Sequence, residues 1–165
     1  MPEYPNRKRI RLSDYDYSAS GAYFVTICTH EKRCILSEIA VGEGLAPPVP
    51  QLSSIGQCVE KQIQGITCRY PTVGIDRYVI MPNHVHLIIT LREQAGGASP
   101  SPTLYDVVRV IKSVSTRQAR PLLGERPLWQ RSYYEHVIRN ERDYEEIWNY
   151  IDQNPAKWTD DPYKA

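Results

Sequence analysis

The chain has 165 residues, of which 41% are hydrophobic and 24% are charged, and its formal net charge at pH 7 is +1. These values fit a single soluble globular domain over 1–165, and no stretch approaches the roughly 20 apolar residues of a membrane span. Because the first residues also lack the apolar core of a signal peptide, we expect a cytoplasmic protein with no membrane partner.

The N-terminal third predicts an arm, a strand and a loop. Residues 1–20 are polar and basic and predict an irregular arm. Gly21–Thr29 is dense in β-branched and aromatic residues, which predicts the first strand. Residues 41–52 are rich in Gly and Pro and predict a surface loop.

A helix should follow that loop. Ser53 or Ser54 can cap its N-terminus, and apolar residues then recur at positions i, i+4, i+8 and i+11. This spacing is typical of an amphipathic helix that packs on a sheet. The apolar residues are Ile55, Val59, Ile63 and Ile66.

The next segment predicts an antiparallel hairpin that carries two histidines on one face. Gly74–Ile80 predicts a strand and Met81–Asn83 a turn, so the hairpin would lie in the middle of the sheet. Because side chains at i and i+2 of a strand project from the same face, His84 and His86 should point together, away from the apolar face. Two imidazoles on one face favour a metal site, although this pattern alone leaves a structural coincidence open.

Residues 92–102 predict a second surface loop, after which Thr103–Asp106 has the form of a capping box. The capping box should open a helix that ends at Pro121. The order of the elements favours an α+β sandwich with the helices mainly on one face of the sheet.

The last part of the chain predicts a strand and a helix. Trp129–Arg139 should be a strand or an extended segment, and Asn140 should begin a helix that runs to about Asn154. Tyr150 and Asn154 lie one turn apart on the flank of its apolar stripe, where both can reach a strand surface. Simple packing of Tyr150 at the rim of the core is the alternative.

Charge is unevenly distributed along the chain. Residues 7–11 hold four cations, and Val107–Arg131 holds six Lys or Arg against one acid, whereas the segment from Glu135 to the end has eight acids and four bases. This segregation predicts a basic surface suited to phosphate binding, with ordinary solvated faces as the alternative.

Several motifs together resemble a known family. Met-Pro-Asn-His-Val-His at 81–86, the segment 129–140 and the segment 149–155 resemble the single-tyrosine HUH transposases, and most of all the REP-associated tyrosine transposases, also called transposase IS200-like. The likeness covers nearly the whole chain apart from the two Gly/Pro loops. It implies a ferredoxin-like α+β fold in which a central antiparallel sheet carries the HUH motif.

The resemblance also implies a reaction. This family cleaves and transfers single-stranded DNA beside a hairpin, such as a REP-like element or an insertion-sequence end, through a 5′-phosphotyrosine. By this likeness, His84, His86 and Asn154 would bind Mg²⁺ or Mn²⁺, and Tyr150 would be the nucleophile. A metal ion suits this chemistry, since a phenol with a pKa of about 10 is a weak nucleophile at pH 7. The resemblance leaves open whether the protein is a monomer or a homodimer.

Candidate DNA-binding residues combine cations for phosphates with aromatic rings for unpaired bases. Trp129 is equally well explained as a core aromatic, and Tyr133 and Tyr134 compete for the nucleophile role if their segment crosses the site. Tyr144 lies about 240° around the helix from Tyr150 and should not share its face. The candidates are Arg7, Lys8, Arg9, Arg11, Lys112, Arg117, Trp129, Arg131, Tyr133 and Tyr134.

Two other functions remain open at this point. The first is a domesticated protein that binds DNA hairpins and retains only vestigial cleavage. The second is an unrelated metallohydrolase built on the His-x-His pair, for which further His, Asp or Glu ligands would be expected.

Overall fold

A computed structural model describes residues 21–40, 47–93 and 101–164. The arm with Arg7, Lys8, Arg9 and Arg11, and parts of both predicted loops, lie outside the described residues. Within the described ranges, every helix is too short or too polar to span a bilayer. The elements are β1 (Gly21–Cys28), β2 (Ser37–Glu38), β3 (Gln51–Leu52), α1 (Ser54–Arg69), β4 (Val73–Ile80), β5 (His84–Leu91), α2 (Leu104–Leu123), β6 (Tyr134–Ile138), α3 (Glu141–Gln153) and two 3₁₀ segments, His30–Lys32 and Pro155–Asp160.

The central sheet has four antiparallel strands in the order β4-β5-β1-β6, which confirms the predicted α+β class. The predicted hairpin of β4 and β5 forms, but its expected place in the middle of the sheet is wrong. β5 is internal because β1 pairs with it along eight residues, whereas β4 is an edge strand. The short strands β2 and β3 form a separate pair, so the loop predicted over 41–52 ends in a strand.

Helices α1 and α2 cover one face of this sheet. Strand alternation sends Val85, Leu87 and Ile89 towards these helices, where they are fully buried. Residues of both helices complete the same apolar cluster, which makes this layer the main core. The helical residues include Val59, Ile63, Ile66, Val107 and Ile111.

Helix α3 packs on the opposite face of the sheet. Ile151 joins Phe24 of β1 and Ile88 of β5 in a second, smaller apolar cluster. Phe24 and Ile88 are paired across the two strands, so they form one patch on which the helix rests. The face that carries the two histidines is therefore the face that α3 covers.

Local sequence explains where the helices begin and end. The side chain of Ser53 accepts a hydrogen bond from the Gly56 amide, and Thr103 and Asp106 form the predicted capping box. The predicted end of α2 at Pro121 is wrong, since the helix continues to Leu123. A proline in the last turn removes only one hydrogen-bond donor, and the helix ends instead just before Gly124, whose φ of 65° favours glycine.

Candidate metal and nucleophile site

The two histidines of β5 lie together on the α3 side of the sheet. Both side chains are 0% exposed, and their ring centroids are 4.5 Å apart. They face the same way because they are two residues apart on a strand. Their cross-strand partners on β1 are Cys28 for His84 and Thr26 for His86.

A polar neighbour occupies the Nδ1 side of each ring. Nδ1 of His84 lies 2.7 Å from Oδ1 of Asn83, and Nδ1 of His86 lies 2.7 Å from the hydroxyl oxygen of Thr26. The Asn83 oxygen can only accept a hydrogen bond, so His84 carries its proton on Nδ1. We assign the His86 proton to Nδ1 in the same way. Nε2 of both rings is then a free acceptor. Such outer hydrogen bonds are the usual means of orienting metal-binding imidazoles.

Both imidazoles are neutral at physiological pH. Burial lowers the pKa of His84 to about 3, against an opposing effect of the Asn154 side chain. Burial, with repulsion from His84, also holds the pKa of His86 well below its usual value. Neither Nε2 atom has a hydrogen-bond partner within the described part of the chain. Two buried acceptors without donors carry a desolvation cost that a bound cation would remove.

Helix α3 brings Tyr150 and Asn154 to these rings. Burial of Ile151 against the sheet fixes the rotation of the helix, which places the ring of Tyr150 5.2 Å from that of His86. Asn154, at the C-terminus of the helix, is buried, and its Oδ1 atom has no hydrogen-bond partner among the residues that the structure describes. Arg77 of β4 holds the same end of the helix through an ion pair with Asp152 at 2.6 Å.

The donor set can hold a divalent ion. Among the described residues, no three His, Cys, Asp or Glu side chains are gathered in a ready metal site. The unpartnered atoms are instead two imidazole nitrogens and one amide oxygen, those of His84, His86 and Asn154. Such a mixed set suits a divalent cation and leaves coordination positions open for water or phosphate oxygens.

The C-terminal segment covers this set of atoms. The ring of Tyr163 lies 4.8 Å from His84 and 5.6 Å from His86, and the ring of Trp158 lies 6.2 Å from His84. The Asp161 carboxylate lies beside His84. These residues were missed in the sequence, because the segment after Pro155 has no apolar periodicity that would place it. In this conformation both imidazoles are closed to solvent.

The other tyrosines divide between the two faces of the sheet. Tyr134 packs on the α3 side with its ring 6.5 Å from Phe24, whereas Tyr133 is 7% exposed and belongs to the main core. The hydroxyl of Tyr144 donates to Asp76 at 2.7 Å. Tyr133 also lines the basic groove described below, so its stacking on bases stays a prediction. Tyr134 and Tyr144 both pack against the small cluster that Tyr150 contacts, but the hydroxyl of Tyr144 is engaged by Asp76.

Trp129 and Lys112 make structural contacts, and the core position of Trp129 is one of the two alternatives that the sequence left open. Trp129 is 6% exposed, and its indole N–H donates to the hydroxyl of Ser115 at 3.0 Å. The ammonium of Lys112 donates to the backbone carbonyls of Gln130 and Arg131, and partial burial lowers its pKa. Trp129 is therefore a core aromatic, and Lys112 ties α2 to the segment that precedes β6.

A basic groove of about 940 Å³ lies between α2 and the segment 127–133. The predicted cations Arg117 and Arg131 line it and are exposed. The described residues that line the groove include no acid. Arg109 and Arg120 line the same groove, although they were not among the predicted DNA-binding residues. Their spacing along α2 was the sequence signal that could have identified them.

Similar proteins point to one family. The transposase IS200-like family model matches residues 53–154. An uncharacterized protein of Haemophilus influenzae is 36% identical over 171 residues, with 94% of this chain and 92% of that protein covered. A REP-associated tyrosine transposase of Escherichia coli is 35% identical over 83 residues, which cover 50% of this chain and 44% of the relative. A solved structure of a REP-associated tyrosine transposase bound to a REP hairpin is 25% identical, with a TM-score of 0.62 and coverage of 98% of this chain and 81% of that chain.

Proposed function

Because this chain belongs to the transposase IS200-like family, we propose that it cleaves and rejoins single-stranded DNA beside hairpins, with a divalent metal ion and a 5′-phosphotyrosine intermediate. The observation that supports this proposal is the 5.2 Å separation between the rings of Tyr150 and His86, next to two unpartnered imidazole nitrogens. The reaction requires a phenol and a bound cation, and Tyr150 lies on the same face of the sheet as the two imidazoles.

His84, His86 and Asn154 would hold the ion. When bound, Mg²⁺ or Mn²⁺ would withdraw charge from the scissile phosphate and fix its position. The two rings contribute neutral Nε2 donors, since burial keeps both unprotonated. Asn83 and Thr26 would preserve that state by occupying the opposite nitrogen of each ring.

Tyr150 would be the nucleophile. Its hydroxyl oxygen would attack the phosphorus atom, the bond from phosphorus to the 3′ oxygen would break, and the phenolic proton would leave with that oxygen as a 3′-hydroxyl. The product is a 5′ end linked to Tyr150. Attack of another 3′-hydroxyl on this linkage would rejoin strands and restore the phenol without an external energy source.

The basic groove would bind the phosphates of the hairpin. Its exposed guanidinium groups lie on one surface with no acid among the described lining residues, which is the charge pattern of a nucleic-acid site. The relative of known structure is bound to a REP hairpin, which supports the same class of ligand here. We assign phosphate contacts to Arg109, Arg117, Arg120 and Arg131, and to Arg7, Lys8, Arg9 and Arg11 of the arm.

A covalent-adduct assay tests the reaction. The protein is incubated with Mn²⁺ and a single-stranded oligonucleotide that contains a REP-like hairpin, and adducts that resist SDS are resolved on a gel. The wild type and Tyr144→Phe should form the adduct, because the Tyr144 hydroxyl is engaged by Asp76. Tyr150→Phe should form none and should still bind the hairpin.

Each other outcome contradicts the proposal in a different way. Hairpin binding without any adduct would indicate a hairpin-binding protein whose cleavage is vestigial. An adduct that mass spectrometry maps to Tyr134 would show that the nucleophile is Tyr134 rather than Tyr150. Hydrolysis that survives Tyr150→Phe would indicate a metallohydrolase of another kind.

The groove is tested by the salt dependence of hairpin binding. Arg117→Ala and Arg131→Ala should each weaken binding and reduce the slope of log K against log salt by about one for each phosphate that the variant no longer neutralises. Arg69→Ala is the matched control, since Arg69 is an exposed arginine at the end of α1 and does not line the groove. Equal slopes in all three variants would exclude the groove.

A further inference from the structure

Asp161 is a buried carboxylate next to the paired histidines. Its side chain is 1% exposed, and Oδ2 lies 3.7 Å from Nε2 of His84, just beyond hydrogen-bonding distance. Its other oxygen, Oδ1, accepts a hydrogen bond from the Tyr163 amide at 2.8 Å. This bond orients the carboxylate and leaves Oδ2 on the side of the imidazole.

This carboxylate has no cationic partner among the described residues. The group within ion-pair distance is the His84 imidazole. An imidazole that binds a metal ion through Nε2 is neutral, so it would not balance the charge of Asp161. No lysine or arginine of the described ranges forms an ion pair with Asp161. Buried carboxylates are normally paired with a cation or bound to a metal. A positive charge is therefore expected beside the Asp161 carboxylate, and the described residues do not supply one.

The segment that carries Asp161 is hydrogen-bonded to Asn83, the residue that precedes His84. The side-chain amide of Asn83 donates to the Tyr163 carbonyl at 2.8 Å, while its oxygen meets Nδ1 of His84. Asn83 thus positions the ring from one side and the acidic segment from the other. The family model matches residues 53–154, so Asp161 lies outside the matched segment.

We propose that Asp161 is an additional, anionic ligand of the divalent ion held by His84 and His86. The proposal rests on the metal site proposed above. Two neutral imidazoles and an amide would leave a divalent charge uncompensated, and a carboxylate oxygen is a ligand that Mg²⁺ and Mn²⁺ favour. Oδ2 of Asp161 already lies 3.7 Å from Nε2 of His84, a separation at which one ion can contact both atoms.

Mn²⁺ binding tests the proposal without any measurement of activity. Free Mn²⁺ is followed by electron paramagnetic resonance as metal is added to the wild type, Asp161→Asn, Asp160→Asn and His84→Ala, each checked for folding by circular dichroism. Asp161→Asn should raise the Mn²⁺ dissociation constant by about tenfold or more. Asp160→Asn removes the same charge from an exposed neighbour and should leave the dissociation constant unchanged.

The Mn²⁺ titration distinguishes an error in the role of Asp161 from an error in the metal site. If His84→Ala weakens Mn²⁺ binding and Asp161→Asn does not, the site stands and Asp161 is not a ligand. If His84→Ala has no effect, the metal site itself is wrong.

Pulsed resonance on Mn²⁺-loaded wild type labelled with ¹³C-aspartate gives a result that does not depend on folding of the variants. Coupling to a directly bound carboxylate carbon is expected, and its absence would overturn the proposal.

Discussion

The hydroxyl oxygen of Thr26 on β1 lies 2.7 Å from Nδ1 of His86 on β5, across a pair of residues that face each other in the sheet. This hydrogen bond fixes which nitrogen of the imidazole faces the candidate metal site. Replacing Thr26 by Val keeps the shape of the side chain and removes the oxygen. We expect Thr26→Val to raise the Mn²⁺ dissociation constant by about 10- to 100-fold.

Thr116→Val is the control for this change. Thr116 lies on α2, and its hydroxyl donates to the carbonyl of Lys112, on the opposite side of the sheet from the histidines. The same loss of a hydroxyl there should leave Mn²⁺ binding unchanged. Equal Mn²⁺ affinity of Thr26→Val and the wild type would show that Thr26 does not position His86.

The parts of the site that follow a regular period were predictable from the sequence. His84 and His86 share a face because a strand has a period of two, and Tyr150 and Asn154 share a flank because a helix has a period near 3.6. The orienting role of Thr26 was not predictable, since it depends on the register between strands sixty residues apart. Asp161 was missed because it lies in a segment without periodicity.

The fold was predictable to a similar degree. Local patterns located the helices, the hairpin and the N-terminal caps, because these features depend on neighbouring residues. They could not fix the order of strands, so β4 was expected inside the sheet and is at its edge. The burial of Trp129 was also not predictable, because it depends on Ser115 in another element. From sequence alone, an aromatic residue in an extended segment can lie on the surface or in the core.

The pair Tyr144 and Asp76 predicts a pH dependence of stability. Burial, together with the neighbouring carboxylate, raises the pKa of Tyr144 to about 12. Because this value exceeds the pKa of about 10 in the unfolded chain, the contribution of the neutral phenol is fully present below pH 10 and is lost as the pH rises through about 12.

Tyr144→Phe tests this dependence. The change should lower the free energy of unfolding by about 1 kcal/mol at pH 8, which is below the usual value for a hydrogen bond to a charged group because the site is partly exposed. The difference from the wild type should shrink between pH 10 and pH 12. Urea unfolding at several pH values measures it, and a difference that stays constant through that range would contradict the assignment.

Two glycines of α1 should respond in opposite directions to alanine. A Cβ atom at Gly56 would overlap the carbonyl oxygen of Leu36, whereas a Cβ atom at Gly65 would meet no described residue within 4 Å. Gly56→Ala should therefore lower the free energy of unfolding by about 1–3 kcal/mol through overpacking. Gly65→Ala should raise it by about 0.5–1 kcal/mol, because alanine favours a helix over glycine. Denaturant titration of both variants measures the pair, and the same sign for both would be inconsistent with this packing.

The hydrogen bond between Trp129 and Ser115 separates a core role from a DNA-binding role for the tryptophan. Ser115→Ala would leave a buried indole N–H without an acceptor, which should cost about 1–3 kcal/mol of the free energy of unfolding. Ser113→Ala, on an exposed position of the same helix, should change it by less than about 0.5 kcal/mol. Because the indole is buried, hairpin affinity should be the same in both variants at a low temperature without denaturant. A loss of hairpin affinity in Trp129→Phe without a loss of stability would instead place the ring at the DNA.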